Sequence, residues 1–320
     1  MKPSKLYDGQ SFADLSASAN KSIFKDASTG IALARNLIAI DPKILTKQYA
    51  ELSLVNSGIT VSNYGGYANK IETLRVSEEG DFALASDLSD GAGKISISAE
   101  NSLLDVFQYK GTSSWSDTEI KQAQMASQGN IKLVDRFIQT KRKLYLQKVD
   151  AIGYLGHAGT SGLLNTPFFT NTVATGAIAT LTPQQAYNEI ATLITDQRNI
   201  VNNTPAYSCD TVVLPTTILN KLNTLILNTA AGSSTVMKAL QDNFKDVKFV
   251  SSFRANNVGG ASKVVAYSTN EDAMVMRIPV PLTIGEIIRD GSFEYAVDSM
   301  FRIAGIDILE PSSGRILTGL

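Results

Sequence analysis

The sequence predicts an α+β fold, and three observations carry that prediction. Residues 116–150 keep a single helical period, residues 58–98 alternate in short polar segments like a hairpin, and beyond Thr182-Pro183 the pattern changes to short helices and strands in mixed order. No repeat period suggests a solenoid.

The first thirty residues are polar and rich in Ser and Ala, as in Ser16-Ala17-Ser18-Ala19-Asn20-Lys21, with scattered anchors at Phe12, Leu15 and Phe24. Such an arm buries too little to order itself. It is expected to be pinned by neighbouring subunits of an assembly, with no pro-segment cut ahead of it. Asp41-Pro42 then opens a short helix to about Leu52, with Asp as cap and Pro at the first helical position. Gly58–Ser62, Lys70–Val76 and Gly93–Ser98 read as strands, joined by the turn sequences Glu78-Glu79-Gly80-Asp81 and Ser89-Asp90-Gly91. Together they predict a long polar β-hairpin, which needs a neighbour to lie on because a two-stranded ribbon is marginal in water.

Ser116 with Glu119 three residues on forms a capping box, which fixes the start of the long helix. Ile120, Ala123, Ala126, Ile131, Val134, Phe137, Ile138, Leu144, Tyr145 and Val149 follow its period. The run is about thirty-five residues, roughly 50 Å of rod at about 1.5 Å per residue. Trp115 stands where an apolar residue staples onto the first turn, with Ile120 or its neighbour as the expected mate. Gly153, Gly156, Gly159 and Gly162 follow, expected to carry the chain back onto the helix through positive-φ turns, and lead into Leu163-Leu164-Asn165-Thr166-Pro167. Further helices are predicted over Gln184–Arg198, Pro215–Leu227 and Val236–Asp242. Strands are predicted over Thr211–Leu214, Val247–Ser251 and Lys263–Ser268, with Ala273–Pro279 continuing the same sheet and Phe301–Pro311 closing the fold.

Composition narrows function. The 29 Lys plus Arg against 30 Asp plus Glu give a net charge of −1, so bulk charge does not drive the chain onto phosphate backbones. No window resembles a membrane span or a signal peptide, so cytoplasmic synthesis and no membrane partner are expected. The single cysteine, Cys209, precedes a predicted buried strand and reads as a small hydrophobe. His157 is the only histidine, which removes any metal site that needs two imidazoles.

Candidate chemistry is weak throughout. A phosphate cradle needs a strand leading into its glycines and a helix leaving them; here the glycines follow a helix. His157 beside Ser161 lacks the strand-to-helix elbow of hydrolases. Glu78-Glu79 reads as a solvated turn, and Lys141-Arg142-Lys143 as a solvated helix face or a weak contact with nucleic acid or a neighbour. No catalytic, cofactor-binding or metal-binding residue is assigned, no cofactor is expected, and the chain does not read as an enzyme.

The capped helix from Trp115 to Glu119 and the motif Gly162-Leu163-Leu164-Asn165-Thr166-Pro167 resemble the spine helix and following turn of the Hong Kong 97-type bacteriophage major capsid proteins and the related encapsulin shells. Arg75–Ala83 is similar to that family's loop tip. The resemblance implies an N-terminal arm at 1–52, an extended loop at 53–99 and a peripheral domain at 100–182 with its spine at about 116–150. It further implies an axial domain at 183–278, peripheral return strands at 279–303, and a final axial strand and tail at 304–320. The implied function is a self-assembling icosahedral-type shell of pentamers and hexamers, with packaged double-stranded DNA in weak contact and scaffolding, portal and decoration proteins as further partners. An encapsulin-like compartment is the main alternative, although that family usually begins with a helix; a soluble α/β enzyme is the distant third. The type member's Lys-Asn cross-links are not expected here, because residues 271–320 contain no asparagine.

Overall fold

The structure, a computed structural model, describes residues 5–6, 10–11, 53–80, 95–126, 133–157, 159–229 and 232–320. The expected helix after Asp41-Pro42, most of the N-terminal arm and the Ser89-Asp90-Gly91 turn lie outside the described residues. The chain divides into a small unit, residues 1–48 with 121–132, and a main unit comprising the rest. In the small unit β1 (Lys5–Leu6) pairs antiparallel with β2 (Gln10–Ser11).

The main unit begins with a helical turn, α1 (Ser53–Asn56), and β3 (Val61–Ser62), followed by the hairpin strands β4 (Lys70–Gly80) and β5 (Ile95–Asp105) and then β6 (Phe107–Ser116). Helix α2 spans Asp117–Ala126, its residues from 121 onward being counted with the small unit, and α3 spans Leu133–Leu155, with β7 (Thr170–Val173) and α4 (Pro183–Ile200) after them. Next come β8 (Thr211–Pro215), α5 (Thr216–Thr224), the small hairpin β9 (Ile226–Thr229) and β10 (Gly232–Thr235), and α6 (Val236–Asn243). Strands β11 (Lys248–Ser252), β12 (Lys263–Tyr267), β13 (Met274–Arg277), β14 (Val280–Arg289), β15 (Glu294–Ile303), β16 (Gly305–Ile308) and β17 (Gly314–Thr318) complete the chain.

A five-stranded mixed sheet, ordered β11-β8-β12-β17-β7, divides two cores. Strand alternation decides which side each residue joins. Val212, Leu214, Val264, Ala266 and Leu317 face α4, α5 and α6, where Ile190, Ile194, Ile218, Leu222 and Leu240 are fully buried or nearly so. Val213, Val265, Tyr267 and Ile316 face the opposite core, built with Ile152, Leu163, Leu164, Met274, Ile303 and Ile306. Helix α4 starts as Thr182 and Pro183 dictate: Thr182 accepts from the Gln185 N–H, and the Gln185 side chain accepts from the Thr182 N–H. Near its end Gln197, with no exposed surface, donates to the Tyr207 and Ser312 carbonyls and accepts from the Cys209 N–H, which ties two loops to the sheet.

The capping box at α2 is present: the Ser116 N–H donates to Glu119 Oε2 at 3.0 Å and the Glu119 N–H to Ser116 Oγ at 3.2 Å. Whether the spine is a single rod lies outside the described residues, which omit 127–132 between α2 and α3. Two expectations for this region need correction and a third is extended. The helix runs on to Leu155 and takes in Gly153, where a β-carbon would stand 2.2 Å from Leu54 Cδ2, so glycine there serves close packing. Trp115 has a partner beyond the first turn: it stacks on Phe137 of α3 with ring centroids 5.3 Å apart. Lys141 is not on a solvated face: it is buried, with Nζ donating to the Gly111 and Val297 carbonyls across β6 and β15.

Other differences are matters of strand partnership. β3 pairs parallel with β13 and takes no part in the hairpin. Glu78 and Glu79 lie in β4, opposite Ile97 and Ser96, and not in a turn. α5 stops at Thr224 because Leu225 turns extended (ψ 124°) and opens the β9–β10 pair. β13 leaves the main sheet after the turn at Asn270, whose carbonyl accepts from Ala273, and joins β16 and β3.

Candidate assembly surface

Between Gly156 and Pro167 the family-like motif is read out as a helix stop. A helix leaves its last four carbonyls without helical partners. Here all four are satisfied: Ile152 O accepts from Gly156 N at 2.8 Å, Gly153 O from Leu163 N at 2.8 Å, Tyr154 O from Leu164 N at 3.0 Å, and Leu155 O from Asn165 Nδ2 at 2.8 Å. Asn165 Oδ1 in turn accepts from Gly162 N at 2.6 Å. Gly156 has φ +75°, and a β-carbon at Gly162 would stand 2.4 Å from Gly156 N, so the two glycines let the returning chain meet the helix end. Leu163 and Leu164 are fully buried. Of the four spaced glycines, only Gly156 and Gly159 have positive φ.

The chemistry-bearing residues are taken up by packing. His157 lies edge-on to Phe107 and Tyr109, at centroid distances of 5.1 and 5.5 Å. Cys209 is buried in the core on the helical side of the main sheet, and burial raises its thiol pKa to about 12, far from a reactive thiolate. Among the described residues no group of His, Cys, Asp and Glu has the makings of a metal site, and no helix is long and apolar enough to cross a membrane.

What remains exposed and organised is the β4–β5 hairpin. Its register places Leu74, Ile95, Ile97 and Leu103 on one face, with exposures between 61% and 69%. The opposite face carries Ile71 and Leu104 at the root, then Thr73 and Arg75. Ile71 and Leu104 pack with Val106 and Ala304. Beside them Arg302, almost wholly buried, donates to Gly66 O and Asn69 Oδ1. A second exposed region is the antiparallel sheet β14-β15-β6, whose far end shows Ile287, Ile288 and Phe293. On its outer side a cavity of about 360 Å³ is lined by Lys110, Thr112, Thr283, Asp298 and Met300.

Residues 84–320 match the major capsid protein family. The chain belongs to that family. It is 39% identical to a chain of the capsid of Myoviridae phage XM1, covering 90% of this chain and 98% of that one with a TM-score of 0.80. A chain of Mycobacterium phage Ogopogo matches at 16% identity, 90% and 98% coverage and TM-score 0.57. A capsid chain of the native GTA particle matches at 9% identity, 92% and 99% coverage and TM-score 0.65. These last two speak for the fold alone. No curated protein matches the chain. This capsid subunit therefore has the Hong Kong 97-type fold and forms part of a shell.

Sequence reasoning missed the polar groups that brace the subunit. Asp307 is 3% exposed and is held by Arg277 at 3.1 Å. Asp150, with no exposed surface, receives the Leu54 N–H at 3.1 Å and pairs with Arg254. A signal for Asp307 did exist: an acid between two isoleucines in Gly305-Ile306-Asp307-Ile308 marks a buried charge that must have a partner.

Proposed function

We propose that the subunit closes an icosahedral-type shell of pentamers and hexamers around a double-stranded phage genome, and that it works by geometry, without catalysis. The observation that carries this reading is the row of exposed apolar side chains, Leu74, Ile95, Ile97 and Leu103, that the hairpin presents on one face beside the polar groups Lys70, Glu72, Asn101 and Asp105. Burying a side chain such as Leu74 or Ile97 contributes about 1.5–3 kcal/mol, and a two-stranded ribbon has little else to hold it in water. A neighbouring copy supplies that cover. Of residues 53–99, the hairpin from Lys70 onward acts as the extended loop, while α1 and β3 stay with the body; residues 100–182 with 279–303 form the peripheral domain; residues 183–278 with 304–320 form the axial domain that meets its copies around the symmetry axes.

With a net charge of −1 the chain has no bulk electrostatic drive onto DNA, and its contact with the packaged genome is weak. The subunit is made in the host cytoplasm, and scaffolding, portal and decoration proteins are its further partners. Electron microscopy of the purified protein tests the core of the reading. Closed particles of uniform diameter are the expected result, while dispersed subunits under all conditions that promote assembly would overturn it.

A further inference from the structure

On one face the hairpin meets its own body, through an apolar root at Ile71 and Leu104 and polar contacts beyond it. Thr73 Oγ1 donates to Asp307 Oδ2 at 2.8 Å, and the same carboxylate oxygen accepts from Arg277 Nε at 3.2 Å. Arg75, two residues along the same face, donates to the Ile308 carbonyl and lies over the Phe168 ring at 5.1 Å. Beyond the apolar root at Ile71 and Leu104, these contacts reach a short way up β4. Arg277 also donates to Ser62 Oγ at 3.2 Å, so the carboxylate is fixed by a residue of the body and does not depend on the hairpin for its position.

We propose that Asp307, with Thr73 and Arg75, is a latch that sets the roll of the hairpin about its root, and so decides that Leu74, Ile95, Ile97 and Leu103 face away from the body. This deepens the docking role assigned to the hairpin and rests on it. The root alone cannot fix the roll: strand pairing and the Ile71–Leu104 contact hold the base, but they leave a long twisted ribbon free to turn. Two directional contacts on one face remove that freedom. Because Asp307 keeps its Arg277 partner when the hairpin lets go, release leaves no unpaired buried charge in the body. Thr73, Arg75 and Asp307 are positioning residues: they touch the hairpin's own chain and not the docked neighbour.

The test uses the full chain with Thr73→Val combined with Arg75→Met, and Thr73→Ser as the conservative control. Spin labels at Ala99 of the hairpin and Lys238 of the body, in unassembled subunits, should give one narrow distance distribution in the unaltered chain and in Thr73→Ser, and a distribution at least about twice as broad in the double variant, with the melting temperature unchanged. Particle yield should fall in the double variant and stay unchanged in Thr73→Ser. An unchanged distance distribution in the double variant overturns the proposal, as does a fall in yield matched by a fall in melting temperature. Leu74→Ser with Leu103→Ser separates the latch from the docking role: normal particles from that pair overturn the docking role, whereas lost particles from it beside normal particles from the double variant overturn the latch alone.

Discussion

At the scale of single residues, the end of α3 shows how few side chains decide where a long helix stops. Asn165 serves two backbone groups at once, accepting from Gly162 and donating to Leu155, and neither bond is replaced by alanine. Asn165→Ala is expected to cost about 1–3 kcal/mol, given about 0.5–1.5 kcal/mol for each of the two bonds. Leu164→Ala, which opens space in a fully buried site, should cost about 2–5 kcal/mol. Urea unfolding of unassembled subunits checks both values and their order. Buried hydroxyl and thiol groups set a second expectation. Burial raises Tyr154 from 10.0 to about 12, Cys209 from 9.0 to about 12, and Tyr267 well above 10.0. The folded chain holds these protons where the unfolded chain has released them, so their contribution is complete below about pH 9 and is lost as pH rises toward 12. Each group steepens the loss by about 1.4 kcal/mol per pH unit. Unfolding free energy measured from pH 8 to 11 should fall accordingly, and Tyr154→Phe should lower the slope by about one group's share.

Among elements, local signals were legible and partnerships were not. The Ser116–Glu119 box, the Thr182-Pro183 start of α4 and the spans of β8, β11 and β12 follow from capping chemistry and runs of apolar residues, which act over a few positions. The missed strand β6 is polar and half exposed; it is a strand because β15 pairs with all of it, from Phe107 against Ile303 to Ser116 against Glu294. Likewise β3 looked like hairpin but belongs beside β13, a partner more than two hundred residues later in the chain. Long-range pairing leaves no mark on either strand alone. Lys141 misled for a similar reason: its neighbours Arg142 and Lys143 are exposed, and only the sheet laid against α3 buries it. The hairpin carries its own prediction. Its amides should exchange fast in free subunits and be protected in particles, and equal protection in both states would refute a docking role.

For the whole molecule, the expected strength of the shell lies in contact area and interwoven arms. Residues 271–320 contain no asparagine to condense with a hairpin lysine such as Lys70, which instead pairs with Asp105 at 3.4 Å in an exposed ion pair. Particles boiled in detergent under reducing conditions should give one band at 34.3 kDa; a ladder of covalent oligomers would contradict this. Deleting residues 1–25 should leave the main sheet folded, since among the described residues its two cores are built from residue 54 onward, but should disturb regular assembly, to be read from particle size in micrographs. The place of β17 bears on how such subunits are born. That strand lies between β12 and β7, inside the sheet that both cores share, yet every other strand of the sheet precedes it in sequence. A ribosome releases the chain in order, so until Gly314–Thr318 emerges, β12 and β7 have an empty lane between them and Ile316 and Leu317 are missing from opposite cores. A message cut short upstream would yield a polypeptide with no finished sheet to offer its siblings, and such interrupted translation products are expected to stay out of the particles, which co-expression with the full chain would check.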